Sequence, residues 1–239
     1  MDDPKEINFT VYLQVYGGTK RPPAYLLTID RSSVHLLAKQ LNLAYVPEIV
    51  PRGNVCMAEN LEVRPEFRTV FSNVHLRNFL YAILHSSIFE TERNSHSQVD
   101  FSQFHFNGNP EVFWKLERLG EMLIRMHSRG LSGNFNFETE FPVAGSNVIE
   151  PSEYRYECES QKLWINKKQF FYKVPTLAWD YKIAGILPLQ QWFEDYSGHH
   201  LNDDKITGLR TLIALIAETF MVSGVVNDTL KPAPSSKNS

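Results

Sequence analysis

The stretch NPEVFWKLERLGEMLIRMHSRG, residues 109–130, decides how this chain is read. Asn109 can cap a helix, and Pro110 suits the first helical position because the N–H it lacks would have no partner there. Glu111 adds a negative charge where the helix dipole favours one. Phe113, Leu116, Leu119, Gly120, Leu123 and Met126 then recur at steps of three and four, so they line one face, and Gly130 closes the helix. On the opposite side Lys115, Arg118, Arg125 and Arg129 share a face and make a basic stripe. Glu117 and Glu121 are expected to flank that stripe and neutralise part of it.

Upstream, Ile7, Phe9, Val11, Leu13 and Val15 alternate with polar or smaller positions, a period of two that predicts a half-buried strand ended by Gly17-Gly18. Ser32 is the expected cap of a short helix carrying Val34, Leu37, Ala38 and Leu41 on one side, before Pro47 and Pro51 impose a loop. Ser72 or Asn73 caps a third helix with Leu76, Phe79, Leu80, Ile83 and Leu84 as its apolar stripe. Residues 90–108 read as polar and irregular. Downstream, residues 141–172 read as short β segments around Val143, Val148-Ile149, Tyr154-Tyr156, Leu163-Ile165 and Phe170-Tyr172. Helices return from Pro188 to Tyr196, stopping at Gly198, and from Asn202 to near Gly224, with Ile206, Leu209, Leu212, Ile213, Ile216 and Phe220 facing inward. The pattern predicts one mixed α+β domain over residues 1–228, helices around short β segments, followed by a disordered tail over residues 229–239. A division into two lobes near Gly130 stays open.

The 239 residues suffice to bury about 70% of the unfolded surface. An apolar fraction of 43% with 21% charged residues is that of an ordinary globular protein, and 13% aromatic residues point to a thick core or an aromatic binding face. Cys56 and Cys158 lie far apart and form no C-x-x-C pair, which predicts two reduced thiols rather than a zinc site. The start, MDDPKE, has neither the basic nor the apolar region of a secretory signal, and no run reaches the roughly 18 apolar residues of a membrane span. A cytoplasmic protein without membrane contact is expected. The formal charge of −3 means that any nucleic-acid binding must rest on local patches.

Catalytic chemistry finds no residues. Methyl transfer to an adenine amine needs a glycine-rich turn for the methyl donor and an Asn/Asp-Pro-Pro-aromatic loop for the base. Arg21-Pro22-Pro23-Ala24-Tyr25 puts a cation where the amide acceptor belongs and Ala24 where the aromatic belongs. No phosphate-binding G-x-x-x-x-G-K-[ST] is present, and no G-x-S-x-G. Asp203-Asp204-Lys205 opens a helix, where its acids serve the dipole. His199-His200 lack a third ligand at metal spacing, and His85 and His127 read as packing or capping residues. No catalytic residue, cofactor or metal is therefore expected. A second basic cluster does stand out: Lys162, Trp164, Lys167, Lys168 and Lys173 interleave with Phe170, Phe171 and Tyr172, a mixture suited to phosphates and to base or sugar faces. Arg64, Arg68 and Arg77 form a third set. A solvated helix face and the wet side of a sheet remain the plain alternatives for all three.

Three segments in order, FLYAILHS (residues 79–86), FWKLERLG (113–120) and WDYKIAG (179–185), resemble the C-terminal specificity domain of type ISP and related single-chain restriction-modification enzymes. The stretches LLAKQLNLAYVPE (36–48), FPVAGSNVI (141–149), LWINKKQFFY (163–172) and LQQWFEDYSGHHL (189–201) extend the likeness from about Tyr12 to Val225. The chain departs from the family at Ser87, where a proline is usual, at Glu90 in place of a cation, and at Ala184-Gly185-Ile186 in place of Gly-Gly-Tyr. In that family the region follows helicase or nuclease and N6-adenine methyltransferase parts and contacts double-stranded DNA to choose the target site. The resemblance implies a non-catalytic target-recognition module for bacterial defence. Its DNA-binding residues would be Lys115, Arg118, Arg125, Arg129, Lys162, Trp164, Lys167, Lys168 and Lys173, and its partner a separately encoded methyltransferase or restriction component. A protein-interaction module or a truncated remnant of such a system is the alternative.

Overall fold

A computed structural model describes residues 6–12, 24–47, 68–87, 98–106, 108–129, 138–183 and 186–231. Cys56, Arg64, the Gly17-Gly18 and Gly130 breaks, Pro51, Arg21-Pro22-Pro23, Ala184-Gly185 and the tail beyond residue 231 lie outside the described residues. The chain divides into two compact units, one of Met1–Val11, Tyr25–Ile124 and Ser223–Ser239, the other of Tyr12–Ala24 and Arg125–Val222. Helices around small sheets make an α+β fold in both.

In the first unit, β1 (Glu6–Tyr12), β2 (Ala24–Asp30) and β5 (Gln98–Asp100) form a three-stranded sheet in the order β1-β2-β5. β5 pairs in parallel with β2, Val99 opposite Leu27. It lies inside the stretch expected to be irregular. Three residues are too few to show a period, and the partner strand is about seventy residues away, so the pairing is a tertiary fact. Its apolar members Val99 and the following Phe101 are buried. β3 (Ala44–Tyr45) and β4 (Val70–Phe71) form a second, two-stranded parallel pair.

Helix α1 (Arg31–Leu41) starts one residue before the expected Ser32 cap. Asp30 caps it instead, because its carboxylate accepts from the Ser33 N–H at 2.7 Å and from the Ser32 hydroxyl at 2.6 Å. Those bonds, led by the one from Ser32, hold the Asp30 carboxyl down at about 2. α2 (Asn73–Leu84) is capped by Ser72, with the His75 ring in the reciprocal position, accepting from the Ser72 N–H at 3.1 Å. From Asn78 to Leu84 every residue of α2 is buried. α3 (Pro110–Arg129) begins as its sequence predicts, the Asn109 side chain accepting from the Val112 N–H at 2.9 Å. At Gly120 the backbones of α2 and α3 approach closely: a Cβ there would sit 1.7 Å from the Asn78 carbonyl oxygen.

In the second unit β6 (Arg155–Glu157), β7 (Lys162–Trp164) and β8 (Phe170–Phe171) form an antiparallel meander. α4 (Thr176–Asp180) and α5 (Pro188–Asp195) follow, and α5 gives way to Gly198 at φ 76°, a conformation glycine adopts without strain. Trp192 and Phe193 are buried, whereas Trp179 is half-buried and stacks on Tyr156 with ring centroids 5.4 Å apart.

α6 (Asp203–Leu230) contributes to both units, does not stop at Gly224, and includes Thr229 and Leu230, the first two residues of the tail expected to be disordered. A single exposed glycine costs a helix only about 1 kcal/mol, and nothing crowds Gly224. Phe220, expected to face inward, is 47% exposed. Beyond Ile216 the buried face narrows to Thr219, Ser223 and Val226, which leaves Phe220 outside it. Among the described residues α6 is also a helix long and apolar enough to cross a membrane by length and composition, contrary to the sequence expectation, with a mean hydropathy of 1.7 over its most apolar stretch. Half of that stretch is buried inside the protein.

Candidate nucleic-acid interface

Strand alternation builds the clearest site. Leu163 and Phe171 point into the core of the second unit and are fully buried. The pairs Arg155 with Trp164, Glu157 with Lys162 and Trp164 with Phe170 therefore occupy the other face of the meander. There the Arg155 guanidinium lies over the Trp164 ring at 4.7 Å. Trp164 and Phe170 meet at 4.7 Å between centroids, and the Lys162 ammonium lies 4.7 Å from the Phe170 ring and 5.6 Å from the Trp164 ring. The result is a ladder of cations and ring faces, each cation lying over an aromatic quadrupole. One acid belongs to this face: Glu157, whose carboxyl is held below its usual range first by the Ser160 hydroxyl and less by Lys162 and Arg155.

The expected lysines differ in how their charge is used. Lys173 is bound to Glu140, and that hydrogen bond raises its ammonium above the usual range. Lys167 pairs with Glu153 at 3.3 Å. Lys168, exposed beside it, has no ion pair among the described residues. An open cleft of about 550 Å³ adjoins the ladder, bounded by Glu140, Cys158, Lys162, Phe170 and Tyr172.

On α3 the stripe residues Lys115 and Arg118 in the first unit and Arg125 in the second are exposed, and so are Glu111, Met122 and Ser128. Arg129 is helical, and its side chain lies outside the described residues. One of the two flanking acids differs from expectation: Glu117 is 5% exposed and accepts from the Asn78 amide at 2.8 Å, so it is a buried partner of α2 rather than a surface acid, with Arg118 still acting on its carboxyl. Burial pushes its carboxyl above the usual range, with the Asn78 bond opposing. Two members of the third set have partners within the protein: Arg68 lies over the Trp114 ring at 4.7 Å, and Arg77 donates to the Asn78 side chain at 3.0 Å.

Arg155 is the residue the sequence reading missed. Its signal was available, since an antiparallel turn between residues 157 and 162 necessarily sets Arg155 opposite Trp164. Among the described residues no three His, Cys, Asp or Glu side chains group as metal ligands.

A sequence profile of the Type ISP C-terminal specificity domain matches residues 5–212. The chain belongs to the Type ISP C-terminal specificity domain family. Solved structures similar to this specificity-domain chain at low identity include the following three. The ATP-dependent Type ISP restriction-modification enzyme LlaBIII bound to DNA matches at a TM-score of 0.47 and 14% identity, over 94% of this chain and 16% of its own. The DrdV–DNA complex matches at 0.46 and 9%, over 95% and 24%. A nuclease-deletion mutant of the Type ISP restriction-modification enzyme LlaGI, in complex with a DNA substrate mimic, matches at 0.44 and 12%, over 64% and 13%. The chain spans less than a quarter of the length of each. No curated protein sequence matches it.

Proposed function

We propose that this chain is a DNA target-recognition module without a catalytic centre of its own. The observation that carries this reading is the family membership over residues 5–212. The sequence adds that neither the methyl-donor turn nor the adenine-binding loop of an N6-adenine methyltransferase is present. The module works in the cytoplasm of a bacterial cell beside a separately encoded methyltransferase or restriction component, as part of a defence system.

Within this reading the two basic regions contact the phosphates of a duplex, Lys115, Arg118, Arg125 and Arg129 from α3, and Lys162, Lys167, Lys168 and Lys173 from the meander. The exposed Arg155 guanidinium, backed by the Trp164 ring, offers a flat surface to sugar edges. Lys162, Lys168 and Arg155 carry more of the attraction than Lys167 and Lys173, whose charges Glu153 and Glu140 already offset.

Anisotropy titrations of the full chain with labelled duplex, from low salt upward, test it. Each phosphate contact contributes about −0.9 to the log–log salt slope, so Lys168→Ala flattens the slope by about one unit and Lys173→Ala by less. No duplex binding at low salt, with or without an adenine methyltransferase component, overturns the reading.

A further inference from the structure

Gln169, 1% exposed, and Asn166, 8% exposed, are buried amides with every polar atom satisfied. The Gln169 amide nitrogen donates to the Val143 carbonyl at 2.9 Å and to the Asn147 side-chain oxygen at 2.6 Å. Its oxygen accepts from the Asn147 N–H at 2.8 Å and from the Asn166 amide at 3.1 Å. Asn166 in turn donates to the Val148 carbonyl at 3.0 Å and accepts from the N–H groups of Lys168 and Gln169 at 2.9 and 2.8 Å. One set of bonds thus fixes two turns, residues 143–148 and residues 166–169, as a single body.

The fit is close. A Cβ on Gly145 would lie 2.6 Å from the Gln169 amide carbon, and Asn147 holds φ at 53° in the left-handed region that asparagine tolerates better than most residues. What the two turns show to solvent is Ala144, Gly145, Ser146, Lys167 and Lys168. Neither stretch 141–149 nor 165–172 contains an acid. The Ser146 oxygen accepts a long bond from the Val148 N–H at 3.4 Å, which leaves its hydroxyl proton available to an outside acceptor.

Burying amides where leucines would pack adds little net stability, but a fully satisfied buried network holds exposed groups in one geometry. Such preorganisation is what recognition of a rigid, patterned surface requires. We propose that residues 144–146 and 167–168 form one preorganised tip that enters a groove of the DNA duplex, with Ser146 reading a base edge and Lys168 anchored on a neighbouring phosphate. Gln169 is the positioning residue. The inference rests on the DNA-recognition reading and assigns the base-reading element within it.

The experiment selects bound duplexes from a randomised pool with the full chain at low salt, then measures affinity for the selected sequence and its single-base variants. Wild-type protein recovers a preferred site. Ser146→Ala lowers discrimination about fivefold or more at one base pair and leaves the salt slope unchanged. Lys168→Ala flattens the slope by about one unit and keeps the preference. Gln169→Ala blurs the preference at several positions, and because that variant risks unfolding the tip, the exposed Ser146 change decides the matter. Binding by Ser146→Ala with an unaltered preference overturns the inference and leaves the DNA-recognition reading standing. Failure of the wild-type chain to bind any duplex, with or without an adenine methyltransferase component, overturns the DNA-recognition reading, and the inference with it.

Discussion

His127 sets a measurable acid limit on the second unit. It is 1% exposed, and its Nε2 lies 2.9 Å from the Thr219 hydroxyl oxygen. That hydroxyl gives its single proton to the Leu215 carbonyl at 2.7 Å, so the imidazole must be the donor and carries its proton on Nε2. Charging the ring means adding a second proton in a dry interior, and burial accordingly pulls its pKa from 6.5 to about 4. Between those values the unfolded chain binds a proton that the folded chain refuses. The stability contributed by the neutral ring is therefore fully present above pH 6.5 and is lost as pH falls towards 4. A difference of about 2.5 units at about 1.36 kcal/mol each amounts to about 3 kcal/mol, a large share of a typical total of 5–15 kcal/mol. His127→Gln keeps a donor for Thr219 and removes the titration. Urea unfolding of both proteins at several values between pH 7.5 and 4 cancels the carboxylates they share. The margin of wild type over variant should shrink by about 3 kcal/mol across that range, and a margin constant to within about 0.5 kcal/mol would refute the assignment.

Two further outcomes follow from the packing of α2 against α3. Gly120→Ala adds a methyl 1.7 Å from the Asn78 carbonyl oxygen, where the obstacle is backbone and cannot swing aside. Overpacking of about 1–3 kcal/mol or more exceeds the roughly 1 kcal/mol of helix propensity gained, so a lower urea midpoint is expected, and an unchanged one would show that the helices separate at no cost. Glu117, buried with a raised carboxyl pKa, binds a proton more readily folded than unfolded, so acidification through the ordinary carboxylate range favours the native state and rising pH removes that gain. Glu117→Gln should be at least as stable as wild type at pH 7 and lose ground to it as pH falls, read by thermal melting; strong destabilisation at pH 7 would mean that the carboxylate is charged and needed there.

What was legible in the sequence was whatever depended on local pattern. The α3 cap, its apolar face and its exposed cations all follow from residues within a few turns of each other. The meander was visible as short apolar pieces, and the second basic cluster sits on it. The fate of individual charges was not legible, because it depends on partners distant in sequence. Glu117 reads as a surface acid until Asn78, 39 residues earlier, is placed against it. Lys173 reads as an available cation until Glu140 is beside it. β5 failed for the same reason, as did the end of α6, where tertiary burial of Ser223 and Val226 outweighs a glycine between them.

The low net charge then takes on a definite meaning. Of the lysines in the meander cluster, two spend their charge on neighbouring acids, and Lys162 spends part of its charge on aromatic faces. Sequence-independent attraction to a polyanion scales with the number of phosphates neutralised, so under the proposed function a chain at −3 whose meander lysines are partly committed holds arbitrary DNA weakly. Discrimination between sequences scales with something else, the geometric exactness of the few groups that reach base edges. Under the proposed base-reading role the buried Gln169–Asn166 network supplies that geometry, and weak background binding preserves it, because strong non-specific affinity would hold the module on the wrong sites. In the proposed reading, therefore, the same chain that binds poorly by charge is suited to choose well by shape, and the affinity for DNA as such is left to the component it works beside.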